Sequence, residues 1–451
     1  MYETRDPWTG AVHRQPTHSD ADIDTRLGAA AAAFPAWAAL PLQARGAHLH
    51  AIAAALKAQR RELAALITAE MGKLTKEALA EIDKCAVACA FYADNAGRWL
   101  DDEPVATDAK RSYVRYEPIG CVLAIMPWNF PFWQVFRFLA PALMAGNVAV
   151  LKHAVNVPRC ADAIAAVLAA AGLPAGVFGV LHIDNEQAAR VIADRRVAAV
   201  TLTGSERAGR SVAATAGAHL KKCVMELGGS DPFVVLADAD LDATIPVAVA
   251  SRFGNAGQTC IAAKRFIVVD AIAGEFTRRF VEAAAALRTG DPRETSTGLA
   301  PMARPDLRDQ LQRQVDASAA KGARVLLGGA PGDGATGYPA TVLADTAPGM
   351  PAWDEELFGP VASIVRVADE DAAVQVANDT PYGLGASVWT RDPARGEALA
   401  RRIAAGACFV NAIVRSDVRL PFGGTKISGF GRELAGHGIH EFMNIKSVWV
   451  D

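Results

Sequence analysis

Apolar residues recur along this chain in two rhythms, and the switch between them divides it. Over residues 21–100, Leu49, Ile52, Leu56, Leu63, Leu66 and Ile67 return mostly every three or four positions, which predicts helices with one buried face. Asp22 and Asp24 are placed to cap a helix ending near Ala39, Pro41 restarts the pattern, and Glu70-Met71-Gly72-Lys73 breaks it before a helix from Glu77 to Leu100. From there the period shortens. Ser112-Tyr113-Val114-Arg115-Tyr116 alternates as an exposed or edge strand does, whereas Val122-Leu123-Ala124-Ile125-Met126 is the unbroken run of a buried parallel strand. Strands at 148–151, 177–181 and 197–202 alternate with helices at 158–168, 185–193 and from Glu206. A second such unit follows Glu226, with strands at 233–236, 266–269, 364–367 and 386–389, and with residues 244–260 carrying a helix into a loop that ends at Cys260. Residues 328–338, rich in Gly, Asp and Pro, predict a surface loop, and Ile445 to Val450 alternates again as a strand. Strand–helix alternation of this kind predicts an α/β fold with parallel sheets covered on both faces.

Composition narrows the class. A length of 451 residues allows two or three domains, and 51% hydrophobic with 21% charged residues is ordinary for a globular enzyme. A net charge of -3 leaves no basic footprint for nucleic acid. Nine histidines and seven cysteines are scattered without CxxC or HxxxH spacing, so no metal site is expected. The longest apolar runs are mostly alanine and fall short of the roughly 20 residues of a membrane span. An odd cysteine count behind a start without a basic-then-apolar pattern predicts a reduced, cytoplasmic setting.

Three segments carry chemistry. Phe253-Gly254-Asn255-Ala256-Gly257-Gln258-Thr259-Cys260 ends a loop of small and amide residues on a thiol. Alone, Cys260 fits an inert core cysteine as well as a nucleophile that forms a thioester. Glu226, in Val224-Met225-Glu226-Leu227-Gly228-Gly229, is either a structural carboxylate or, with a pKa raised by its apolar neighbours, a general base. Asn129, in Pro127-Trp128-Asn129-Phe130-Pro131, is either a turn residue or an amide donor to an oxyanion, together with the Cys260 backbone N–H. Thr203-Gly204-Ser205-Glu206-Arg207-Ala208-Gly209 joins a strand to a helix, where phosphate meets free N–H groups, although its G-x-x-x-x-G spacing by itself also fits an ordinary turn.

Taken in order, these segments resemble the NAD(P)-dependent aldehyde dehydrogenase superfamily, and most of all its short bacterial succinate-semialdehyde dehydrogenases. Glu355-Glu356-Leu357-Phe358-Gly359-Pro360, Pro421-Phe422-Gly423-Gly424 and the tail from Phe430-Gly431-Arg432-Glu433-Leu434 extend the likeness over nearly the whole chain. The resemblance implies a Rossmann-like cofactor domain (1–100 and 119–227), a related α/β catalytic domain (228–433) and a small β oligomerisation element (101–118 and 434–451) that builds a homodimer or homotetramer. It implies Cys260 as nucleophile, Glu226 as base and Asn129 as oxyanion donor. It places the cofactor among Trp128, Lys152, His153, Val155, Gly204, Ser205, Gly209, Leu227, Glu356 and Phe358. Val155 stands where NAD-preferring relatives often have a glutamate, so with Lys152 and His153 nearby NADP is expected to serve at least as well as NAD. Arg137, six residues after Pro131, and Ser416 match a clamp for a carboxylate at the far end of the aldehyde, with Phe130 and Phe422 lining its route and Arg415 a looser candidate. A second arginine of some relatives is replaced by Gly254, and a second cysteine by Ala262. The expected substrate is a small aldehyde, first succinate semialdehyde, with glutarate semialdehyde or a broader range as alternatives. A CoA-acylating enzyme and a non-catalytic relative are rivals that usually lack Glu226, or Cys260 or Glu226 respectively.

Overall fold

The computed structural model describes residues 1–451. Two parallel-rich sheets hold the molecule together. The first runs Gly429–Phe430, Lys222–Glu226, Val197–Thr203, Cys121–Met126, Val148–His153, Phe178–Val180. All its pairings are parallel except that of Gly429–Phe430, which adds antiparallel to Lys222–Glu226. Its interior strands are buried on both faces, as their unbroken apolar runs require. The second runs Arg324–Leu327, Thr341–Ala344, Val361–Val367, Ala263–Val269, Asp231–Val235, Gly385–Trp389, Ala407–Val410. A third, three-stranded sheet pairs Met443–Val450 with Arg111–Pro118 over eight residues, with Glu103–Pro104 outside.

The strand order explains where a ligand can enter. In the first sheet the chain starts in the middle at Cys121–Met126, steps outward through Val148–His153, then returns to the other side with Val197–Thr203. Connections therefore leave the carboxyl ends of Cys121–Met126 and Val197–Thr203 in opposite directions and open a crevice between them. The Pro127–Pro131 segment and the Gly204-Ser205 turn both emerge there.

The long helix Thr75–Asn95 packs over the wholly buried helix Trp133–Ala145. Glu81 on the first accepts hydrogen bonds from Phe132 N (2.8 Å) and Trp133 N (3.0 Å), satisfying the second helix's free N-terminal donors. A buried Lys73 in turn pairs with Glu81.

Several expectations shift in detail. The first helix is Asp20–Ala38, capped by Ser19 with Asp22 closing a capping box, rather than by Asp22 or Asp24. The helix before the thiol loop ends at Phe253, and residues 254–257 form a tight turn. The helices Pro305–Ala320, Glu370–Asn378 and Pro393–Ala400 and the hairpin Tyr2–Arg5/Val12–Gln15 went unpredicted, their periodicity being weak or their strands only four residues long. No helix is long and apolar enough to cross a membrane.

Candidate active site

The thiol loop is strained and heavily braced. Asn255, Ala256 and Gly257 all have positive φ (53°, 52° and 70°), which costs the two non-glycine residues energy that their surroundings must return. Fully buried Arg252 does so by donating to Gly257 O (2.7 Å), Ala263 O (3.1 Å) and Gly359 O (2.6 Å), tying the loop to the segment after Glu356. Asn255 Nδ2 donates to Asn129 O (3.0 Å), and Lys264 Nζ donates to Cys260 O (2.7 Å) and Thr259 O (3.1 Å). Sequence reasoning passed over Arg252 and Lys264, because a basic residue gives no local sign of which carbonyls it will meet.

This bracing holds Cys260 where two cavities meet. One, about 370 Å³, is lined by Trp128, Asn129, Gly204, Ser205, Leu227, Glu356 and Phe358. The other, about 330 Å³, is lined by Phe130, Trp133, Arg137, Ser416 and Phe422. Cys260 and Gln134 belong to both. Burial pushes the Cys260 thiol up to about 12, against the downward pull of Arg137 and Lys264, so the resting group is a neutral thiol.

Two N–H donors are unspent beside it. Asn129 Oδ1 accepts from Gln134 Nε2 (3.0 Å), which fixes the amide so that Nδ2 donates one hydrogen to Gln258 O (2.9 Å). The second Nδ2 hydrogen has no partner in the protein, and neither does the Cys260 backbone N–H.

Glu226 ends the Lys222–Glu226 strand, buried, and lines neither cavity. One of its oxygens has no hydrogen-bond partner and lies 2.6 Å from where a Cβ on Gly423 would fall, so glycine there leaves the carboxyl its room. Burial raises Glu226 well above the usual carboxylate range, the direction expected from its apolar neighbours. Glu433 is raised by burial too, and its pairing with Arg137 pulls it back down.

Arg137 is the residue whose surroundings change its reading most. It does line the second cavity, above the Phe422 ring at 4.7 Å. Yet its Nε pairs with Glu433, both side chains 3% exposed, and its Nη2 donates to Thr203 Oγ1 (3.0 Å). Its charge is already balanced inside the protein. Arg137→Leu strands a buried carboxylate and is expected to cost about 3–5 kcal/mol in denaturant unfolding, with much of the loss recovered in Arg137→Leu/Glu433→Leu. Equal stability of wild type and single variant would show that the pair carries no such weight.

The cofactor candidates divide. Gly204 and Ser205 face the first cavity at the N-terminus of helix Glu206–Ala218, where phosphate meets free N–H groups. Gly209 does not line it; a Cβ there would fall 2.6 Å from Leu227, so this glycine lets helix and strand pack closely. Glu356 accepts from Gly229 N (3.1 Å) and pairs with Lys264 (3.4 Å), and Phe358 meets Trp128 edge-on at 5.9 Å. Lys152 ends its strand with no ion pair, and Val155 is exposed. His153 is corrected. It is 2% exposed, its Nε2 donates to Pro131 O (2.8 Å) and its Nδ1 accepts from Ala154 N (2.9 Å), so it braces the Pro127–Pro131 segment from behind and faces no cofactor.

Tyr382, Gln310 and Gln314 also line the first cavity and were not foreseen, the two glutamines because their helix was not. Lys84 lines the second. Its signal was present in the sequence: Glu77, Glu81 and Lys84 recur at i, i+4 and i+7, which places them on one face of the helix.

Known proteins resemble this chain along its whole length. Residues 1–448 match the model of the aldehyde dehydrogenase family. The chain is 50% identical over 449 residues to a "Probable succinate-semialdehyde dehydrogenase" (NADP(+)) of Synechocystis sp., with 99% of each chain covered. It is 49% identical over 446 residues to the Escherichia coli succinate semialdehyde dehydrogenase (NAD(P)+) Sad, covering 99% of this chain and 95% of that one. Among solved structures, succinic semialdehyde dehydrogenase from Streptococcus pyogenes with NADP+ superposes with a TM-score of 0.98 at 38% identity, all of both chains covered.

Proposed function

The chain belongs to the aldehyde dehydrogenase family, and from that premise we propose that it oxidises succinate semialdehyde to succinate, using NADP at least as readily as NAD. The observation that carries this is the position of Cys260 at the junction of two cavities, beside two unspent N–H donors. One cavity fits a nicotinamide dinucleotide: a helix N-terminus for the phosphates, Glu356 for a ribose and the Trp128 and Phe358 rings. When bound there, the oxidised nicotinamide supplies a hydride acceptor. The other cavity takes the aldehyde.

The Cys260 sulfur gives up its proton to water in the open cavity and bonds to the carbonyl carbon. The carbonyl oxygen becomes an oxyanion held by Asn129 Nδ2–H and the Cys260 N–H. Loss of hydride from that carbon restores the carbonyl as a thioester. Glu226 then leaves its buried niche by side-chain rotation, since it lines neither cavity at rest. In wetter surroundings its raised pKa falls and it loses its proton to solvent; the carboxylate then takes a proton from a water, whose hydroxide attacks the thioester and releases the acid and the Cys260 thiolate. Val155 places no carboxylate there to repel a 2′-phosphate, and Lys152 nearby offers it a positive charge, shared with Asp184. A homo-oligomer assembled through the three-stranded sheet is part of the same proposal, because Ile445 and Trp449 expose 61% and 55% of their surface there.

The test is kcat/KM for aldehydes of increasing length, with and without a terminal carboxylate, against NADP and NAD. The four-carbon semialdehyde with NADP is expected to give the highest value. A best substrate without a carboxylate would overturn the substrate, and NAD favoured tenfold or more would overturn the cofactor.

A further inference from the structure

An amide side chain stands at the junction of the two cavities without forming or breaking a bond there. Helix Trp133–Ala145 is buried along its whole length, and only Gln134 and Arg137 on it carry polar or charged side chains apart from the Trp133 indole. Gln134 is 2% exposed and shares with Cys260 a place in the walls of both cavities. Its two ends differ. Nε2 donates to Asn129 Oδ1 (3.0 Å), whereas Oε1 is buried and has no partner. An unpaired buried acceptor costs stability. A methionine of similar length fills the same space in an apolar helix without that cost, so packing alone does not account for a glutamine here.

The bond to Asn129 does. A backbone carbonyl can only accept, and Gln258 O takes hydrogens from Asn129 Nδ2 (2.9 Å) and Asn255 Nδ2 (3.2 Å). Asn129 therefore turns its NH2 toward Gln258 and its Oδ1 toward Gln134. No other group in the protein donates to that Oδ1. Withdrawing electron density from Oδ1 makes the amide hydrogens more positive, because hydrogen bonds in a chain polarise one another. One of those hydrogens is spent on Gln258 O, and the other is left for the oxyanion.

We infer that Gln134 is a positioning residue, which locks the Asn129 amide in the one orientation that presents N–H to the oxyanion and strengthens that donor. The inference rests on the reading of Asn129 as an oxyanion donor. It carries a consequence for stability. Gln134→Met removes the lone acceptor Oε1 and leaves Asn129 Oδ1 as a new one, so one unpaired atom replaces another and the melting temperature should stay within about 3 °C of wild type.

The test compares wild type, Gln134→Met, Asn129→Ala and the double variant by stopped-flow formation of reduced cofactor in the first turnover, with saturating succinate semialdehyde and NADP. Asn129→Ala is expected to slow this step about 10²- to 10³-fold, and Gln134→Met about 10- to 50-fold. In the Asn129→Ala background the Gln134→Met substitution should change the rate less than about threefold, because no amide remains to be oriented. Alkylation of Cys260 by iodoacetamide displaces iodide at carbon and forms no oxyanion, so in Gln134→Met its rate should stay within about threefold of wild type. An unchanged first turnover in Gln134→Met, a full further loss on top of Asn129→Ala, or an alkylation rate that falls as far as the first turnover would each overturn the inference. Asn129→Ala without effect would instead remove the oxyanion reading on which it rests.

Discussion

Cys260→Ser is expected to lower the rate of reduced-cofactor formation on the order of 10⁴-fold or more, while leaving the melting temperature close to wild type. The substitution exchanges one atom in a side chain that packs against the core only on one side, so the strained loop at 254–257 keeps its braces from Arg252, Asn255 and Lys264. What is lost is the nucleophile. A serine hydroxyl at that position ionises even less readily than the thiol, which burial already holds up at about 12. Reduced-nicotinamide absorbance after mixing with succinate semialdehyde reads the result directly. Near-normal turnover in the variant would remove Cys260 from the reaction and with it the mechanism.

Glu226→Gln acts on the second half. The first turnover is expected to proceed, giving a burst of about one reduced cofactor per active site, after which the rate falls about 10²- to 10⁴-fold as the thioester accumulates. Mass spectrometry of the quenched protein then shows an acyl adduct on Cys260. The pH dependence has a definite sign. Glu226 has a raised pKa, so its proton-accepting form appears as pH rises; hydrolysis in the wild type should climb with pH above the ordinary carboxylate range, and the residual rate in Glu226→Gln should lose that limb. No burst, or a burst followed by wild-type turnover, would mean that another group handles the water.

The reacting parts were legible from sequence because each is marked by backbone needs as well as by its own side chain. The glycines and small residues around Cys260, the proline-flanked Asn129 and the glycine pair after Glu226 announce sharp turns at strand ends, where an α/β sheet binds ligands. Partners across long sequence separations were not legible. Arg137 and Glu433 lie 296 positions apart in the sequence, and nothing local says that they meet. His153 ends a strand and looked available, but Pro131 O, far from it in sequence, accepts from its Nε2 and holds the ring in the interior.

Periodicity and turn residues thus settled the α/β class, and the order of the motifs singled out the thiol, the carboxylate and the amide, since each of these depends on neighbours within a few positions. The fold decided how charge is shared. Which charges around the second cavity are paired depends on Glu433, Lys73 and Asn255 being brought beside Arg137, Glu81 and Glu77 from other segments. In a buried, low-dielectric setting each such pairing fixes both the charge and the free donors that remain.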